Sequence, residues 1–395
     1  MARPKKDKED KDSVLLDILK DTGGEVLANA GVVPYYVDTG NLSINYICSG
    51  KFINGGFPGG RLIEVFGPEA SGKSFLGYCF LNAIQKMNGY AILLDCERSC
   101  GSDFAQRCGH VNPDKLIVFD PISLEQVEKK IIKVVKRIRE VSDKPIGIVW
   151  DSIGVNTTDR EWAEAHLPED ATQAQIAAAG GNERPGERAK AANKVLRSLN
   201  PFLNENNATL YVINQVRKKI GVLYGNDETT SGGGEALKFY ASLRMRCGAP
   251  KSFQDKTTKL PIGVNMVVTN KKNRHFTPGV KIENIPLFFD MGINPLGGLL
   301  DALLMSKRIE PTKGQGRYRI LPEWSDGDEE AVFQQNKTVP VDSELLMKYP
   351  KLIDAKNSDE VREYLKEWSS AINLTNSGEL EEIDSSDLAV NNLVG

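Results

Sequence analysis

Apolar residues along the middle of the chain come in two alternating textures. Short, largely apolar runs, Arg61–Phe66, Tyr90–Asp95, Leu116–Phe119, Ile146–Trp150, Leu210–Ile213, Leu243–Cys247 and Val264–Val268, have the length of buried strands. Longer amphipathic stretches separate several of them, with the clearest helical spacing over Phe75–Met87, Leu124–Glu140 and Glu187–Leu203. Alternation of this kind from Leu62 to about Phe289 predicts an α/β fold built on a mainly parallel, twisted sheet. Two long polar stretches, Trp162–Gly186 and Val216–Gly234, interrupt it, and loops of that length inside a domain are usually functional or disordered.

The flanks read differently. A helical pattern runs from Ser13, an N-cap candidate, to about Ala30 through Val14, Leu15, Ile18, Leu19, Val26 and Leu27. Val32–Val37 has strand composition but stands apart from the later sheet, so it pairs either with another chain or with its own sheet. Past Pro311 the segments are short and mixed, among them Arg317–Leu321 and the helical Asp359–Ile372, and Ser377 to Gly395 carries five acids and no base. The expected organisation is an N-terminal arm and oligomerisation segment over 1–37, a core over 38–310, a small C-terminal domain over 311–376 and an acidic disordered tail over 377–395.

A chain of 395 residues with 40% hydrophobic content can bury the cores of two or three domains. Its formal net charge of −3 means that nucleic-acid contact has to come from local basic patches. No apolar run reaches the length of a membrane span and the opening dozen residues lack the apolar core of a signal peptide, so a cytoplasmic protein with no membrane partner is expected. The six cysteines read as reduced, mostly buried thiols; Cys96, Cys100 and Cys108 lack the paired spacing of a zinc site.

The chemistry starts at Gly67-Pro68-Glu69-Ala70-Ser71-Gly72-Lys73-Ser74, a phosphate-binding loop between a strand and a helix. Gly67 and Gly72 let the backbone close around phosphate oxygens, Lys73 neutralises their charge, and Ser74 offers a hydroxyl to Mg²⁺. ATP and Mg²⁺ are the implied cofactors. Asp151, at the tip of its strand, is placed to reach the shell of that ion, and Glu97, just after another strand, to orient and deprotonate the attacking water. An acid after the second strand points to the additional-strand ATPases. Gln215 closes a further strand, where it serves either as a γ-phosphate sensor or as a simple turn former.

Asn214 to Arg244, NQVRKKIGVLYGNDETTSGGGEALKFYASLR, together with GPEASGKS, Asp95-Cys-Glu97, Val149-Trp-Asp-Ser152 and Asp290-Met-Gly-Ile-Asn294, resembles the bacterial RecA-type homologous recombinases over about Val37 to Ile309. The resemblance implies a RecA-like ATPase core, with Glu97 as general base, Lys73 and Ser74 on phosphate and Mg²⁺, Asp151 in the metal shell and Gln215 as the sensor. It places Phe104 on the adenine, Lys271 or Lys272 on the neighbouring protomer's nucleotide, and Lys238 and Phe239 on a cross-interface helix. For DNA, Arg217, Lys218 and Lys219 supply phosphate neutralisation, Ile220 an apolar wedge, and Gly232, Gly233 and Gly234 close backbone approach. Arg188, Lys190 and Arg197, on the helix after the first loop, are further phosphate contacts.

The implied activity is that of an ATP-dependent recombinase and DNA-dependent ATPase. It polymerises as a helical homo-polymer on single-stranded DNA and exchanges strands with homologous duplex DNA. Single-strand-binding and loader proteins are further partners that the resemblance admits. The rivals are a hexameric helicase motor on the same fold and a nucleotide-gated recombination scaffold. The chain departs from the family pattern in three places. Its Trp162–Gly186 loop is longer, with Ile176 and Pro185 the candidates for base separation, an extra glycine precedes the helix at Ala236, and the region past Pro311 matches poorly. These departures suit a phage or other mobile-element member.

Overall fold

In the computed structural model of the protein, the structure describes residues 31–98, 100–101, 105–106, 109–168, 170–172, 186–218, 228–230, 234–254, 258–336 and 340–368, with 19, 21–22, 372–374 and 380–382. The helix expected from Ser13 to Ala30 and the tail from Ser377 therefore lie almost wholly outside the described residues. The chain divides into two compact units, Met1–Pro34 and Tyr35–Gly395.

The second unit opens with β1 (Tyr36–Val37), α1 (Leu42–Ser49) and β2 (Phe57–Pro58), and β1 pairs antiparallel with β2. Pairing of Val32–Val37 with another chain is thus corrected for its last two residues: they pair within their own chain, in a two-stranded sheet separate from the central one, and Val37 is fully buried. Val32–Pro34 belongs to no strand. No helix was expected at α1, because its buried face carries polar side chains. They are satisfied internally: the Asn41 side chain accepts from the Ile44 amide and donates to the carbonyls of Asn294 and Gly297, Ser43 donates to Gly297, and Asn45 donates to Phe52.

The central sheet takes β3 (Leu62–Gly67), β4 (Tyr90–Asp95), β5 (Leu116–Phe119), β6 (Ile146–Asp151), β7 (Ala208–Lys218), β8 (Glu228–Thr230), β9 (Leu243–Cys247), β10 (Lys251–Gln254), β11 (Pro261–Asn273), β12 (Lys281–Phe288) and β13 (Gly292–Ile293). Its order is β13-β12-β11-β9-β3-β7-β6-β4-β5, with β8 on β7 and β10 on β11. From β9 to β5 the strands run parallel, and the meander from β9 through β13 is antiparallel.

Helices cover both faces. On one lies α2 (Lys73–Lys86), over Ile63, Val65, Leu93, Val149, Tyr211 and Ile213. On the other lie α3 (Leu124–Arg139), α5 (Glu187–Glu205) and α6 (Gly234–Tyr240), over Leu62, Ile92, Leu94, Ile148, Trp150 and Val212, with the short α4 (Asp159–Ala165) leading into the first long loop. The spacing of Leu124, Val127, Ile131, Val135 and Ile138 buries one stripe of α3, while the Ser123 side chain caps its start and Lys136, Arg137 and Arg139 complement the dipole at its end.

Beyond the sheet come α7 (Leu299–Met305), a three-stranded sheet of β14 (Ile309–Pro311), β15 (Arg317–Ile320) and β16 (Val332–Gln334), then α8 (Ser343–Lys348) and α9 (Ser358–Trp368). Their apolar residues, among them Leu346, Leu352, Tyr364 and Trp368, join the same cluster as Val37, Phe52 and α1. Arg308 locks this join. It donates to the carbonyls of Lys351 and Leu352 and to Asp354, and its guanidinium lies 4.6 Å from the Phe52 ring centre and 4.1 Å from that of Trp324.

Candidate nucleotide site and nucleic-acid surface

Three neighbouring parallel strands, β3, β6 and β4, end side by side around β7, which runs on past them. Register sets Gly67 of β3 beside Gln215 of β7, and Asp95 of β4 beside Asp151 of β6, with β6 between β7 and β4. Asp151 thus ends one of these strands, Gln215 stands on β7 level with Gly67, and Glu97 and the phosphate loop follow the ends of β4 and β3, where open α/β sheets bind ligands.

The loop from Gly67 to Gly72 is held against the far strands. A Cβ on Gly67 would stand 2.3 Å from the Cys247 carbonyl oxygen, and Gly72, at φ +86°, would place one 2.7 Å from the Met266 side chain. Only glycine fits either position. Gly72 caps α2 without any side-chain acceptor, so the first-turn amides are left for a ligand. Lys73 is 8% exposed, its ammonium donates to the Pro68 carbonyl and lies 3.5 Å from the Ser71 hydroxyl, and burial lowers its pKa against the pull of Asp151, Glu97 and Glu69. A buried ammonium held by neutral oxygens suits a phosphate in their place.

Asp151 is buried, and burial pushes its carboxyl up to about 6, with Glu97 and Asp95 adding to the rise and a hydrogen bond from Ser74 opposing it. Ser74 and Asp151 are hard oxygen donors, and among the described residues no group of three His, Cys, Asp or Glu gathers to hold a metal. That donor set fits Mg²⁺, which binds few protein ligands and completes its octahedron with phosphate and water.

Glu97 lies two residues past β4 in an exposed turn. Its Oε1 accepts from the Ser152 hydroxyl at 2.6 Å and lies 3.5 Å from Gln215 Nε2, so the acid expected to act as base touches the amide expected to act as sensor. Ser152, next to Asp151, went unassigned in the sequence, although its place directly after a strand tip was the available signal. So did the apolar wall of the loop. Val264, Leu287, Phe288 and Phe289 face residues 70–75 across a pocket of about 210 Å³. Phe104 lies outside the described residues.

On the DNA side, β7 continues past Gln215 through Arg217 and Lys218, whose backbones pair with Thr229 and Glu228 of β8. Lys219, Ile220, Gly232 and Gly233 lie outside the described residues, as do Ile176 and Pro185, and Gly234 opens α6. Lys190 and Arg197 are exposed on α5 and line a groove of about 470 Å³ with Asn193, Lys194 and Glu235. Lys194 was missed, though it completes an i, i+4, i+7 basic stripe with them. Arg188 is corrected: its guanidinium is turned back onto the Gly154 carbonyl and acts as a tether between α5 and the segment after β6.

Phe239 is 69% exposed on α6, and Lys238 pairs with Glu235 one turn back. Lys271 is exposed. Lys272 is corrected, because its ammonium is committed within its own chain, donating to the carbonyls of Lys238 at 2.8 Å and Phe239 at 2.9 Å.

Known proteins support one assignment. The family model of the RecA N-terminal domain matches residues 27–294. The chain is similar to Protein RecA of Mycoplasma mycoides, 29% identical over 80% of this chain and 89% of that protein, and to Protein RecA of Borrelia hermsii, 31% identical over 86% and 89%. It is also 34% identical to Protein RecA of Syntrophus aciditrophicus over 72% of this chain and 74% of that one. With the phosphate loop, the acidic strand tips and the parallel sheet as found, the chain belongs to the RecA family of ATP-dependent recombinases.

Proposed function

We propose that the protein assembles on single-stranded DNA as a helical polymer, hydrolyses ATP in a DNA-dependent manner, and exchanges the bound strand into a homologous duplex. The observation that carries this reading is the continuity of β7. Gln215, in contact with Glu97, and Arg217, at the mouth of the second long loop, stand two residues apart on one strand.

Amides of the loop and the Lys73 ammonium cradle the phosphates, with the pocket wall at Phe289 beside them. Ser74 and Asp151 would hold Mg²⁺, which when bound neutralises phosphate charge. Glu97 accepts the proton of the attacking water, and Ser152 fixes its carboxylate by donating to Oε1. Gln215 exchanges its contact with Glu97 for the γ-phosphate, drawing β7 and the 216–234 segment into the DNA-binding arrangement; hydrolysis reverses the exchange. Arg217, Lys218, Lys219, Lys190, Arg197 and Lys194 then neutralise phosphates, while base pairing supplies sequence readout. Phe239 and Lys238 face the neighbouring protomer, and Lys271 reaches toward its nucleotide.

Electron microscopy with ATP and single-stranded DNA, joined to a strand-exchange assay, tests the reading. Helical filaments that exchange strands are expected. Closed rings would favour the helicase motor, and filaments without exchange the scaffold.

A further inference from the structure

A row of polar side chains crosses the sheet beneath α6. Glu64, fully buried in β3, accepts from Asn214 of β7 at 3.0 Å and pairs with the Arg244 guanidinium of β9, itself 4.6 Å from the Phe66 ring centre. Lys272 of β11 stands opposite Arg244 in register. Its ammonium, reaching the carbonyls of Lys238 and Phe239, closes the C-terminal end of α6, where Arg274 adds a bond of 3.2 Å to Phe239. Helix ends favour cations there, because the last carbonyls lack helical partners. Glu64 lies three residues before the phosphate loop, and Asn214 is the residue before Gln215. The row therefore touches both strands that deliver groups to the nucleotide and ends on the helix that presents Phe239.

We infer that Lys272 is a positioning residue that fixes the C-terminal end of α6, and with it the exposed Phe239, to strand β11 of the central sheet. The inference rests on the reading of that surface as the contact with the next protomer. Interior polar networks with every member paired behave as rigid units. Burial, together with the like charges of Arg274 and Arg244, lowers the pKa of Lys272, and Glu64 opposes the fall.

The test measures the protein concentration needed for ATP-dependent assembly on single-stranded DNA by light scattering, with thermal melting alongside. Lys272→Met keeps the aliphatic stem and removes the charge; it should raise that concentration by about tenfold or more, and Lys272→Arg should restore it to within about threefold. Phe239→Ala should show a like defect, and the double variant should be no worse than Phe239→Ala alone, since both act through one surface. Wild-type assembly by Lys272→Met, additive defects, or failure of Lys272→Arg to rescue overturns the inference while leaving the interface standing. A silent Phe239→Ala overturns the interface reading and the inference with it. Should Lys272→Met fail to fold, Lys272→Leu, which likewise lacks a donor, is read by the same criteria.

Discussion

Glu97 and Ser152 hold the most specific chemistry in the chain, because a carboxylate at an exposed turn acquires direction only from what donates to it. With Ser152 at 2.6 Å on Oε1, the carboxylate is oriented and Oε2 is the oxygen that the proposed base would use. Glu97→Gln should lower ATP turnover by roughly 10²–10⁴-fold while ATP and DNA binding persist, and filaments should accumulate. Wild-type steady-state turnover in that variant would take Glu97 out of the base's role. Ser152→Ala should cost less, roughly tenfold in kcat, since the carboxylate survives but loses its orientation. At this scale much was legible in the sequence: Lys73, Ser74 and Asp151 stand where spacing put them. What could not be read was where flexible side chains end. Arg188 and Lys272 carry the right charge for phosphate, yet each is taken up by a backbone carbonyl that lies near only after folding.

Elements were recovered where a single period governs them. Tyr90–Asp95, Leu116–Phe119 and Leu243–Cys247 fall on the expected strands, and α3 runs over the expected stripe, because in each the apolar residues recur at the spacing of its own element. α1 escaped notice since polar Ser43, Asn45 and Ser49 are buried beside its apolar residues, and the partner of β1 since it is two residues that include a proline. The β1 pairing changes what a truncation should do. Removing residues 1–37 takes away Val37, fully buried against the core, so the remainder should lose about 2–3 kcal/mol, read as a lowered urea midpoint. Unchanged stability would return Val32–Val37 to a role between chains. β7 carries a separate prediction. Arg217→Ala with Lys219→Ala should weaken single-stranded DNA binding and flatten its dependence on log salt by about two ions. Gln215→Ala should instead leave binding weak with or without ATP. Full ATP enhancement in a filter-binding titration of that variant would break the route from Gln215 to the loop.

Across the whole molecule, the corner where β1 meets α9 carries a half-buried carboxyl. Asp38 accepts from the Gly40 amide at 2.7 Å and from the Tyr364 hydroxyl at 3.2 Å, and burial pushes its carboxyl up to about 6, Glu367 contributing in the same direction. Below about pH 4 the group is neutral in both folded and unfolded chains, and its contribution is intact. As pH rises through the folded value the unfolded chain has already ionised, and the folded state loses stability relative to it. Asp38→Asn keeps the acceptor and removes the charge, so its melting temperature should gain on wild type between pH 4 and pH 7.5, by the equivalent of about 1–2 kcal/mol. A difference constant with pH, measured by scanning calorimetry, would mean that Asp38 is ionised at no cost.

The shared cluster of Val37, Phe52 and Trp368 has a further consequence during synthesis. Its two halves are separated by roughly 330 residues, which at about 5–20 residues per second leave the ribosome many seconds apart. Until residues 308–368 emerge, Phe52 lacks the Arg308 guanidinium and Gly40 the Trp368 ring beside it, although β3 to β13, with α2 to α6, can already close around the phosphate loop. The nascent protein should therefore complete its nucleotide-binding centre before Arg308 and α9 cover its amino-terminal corner.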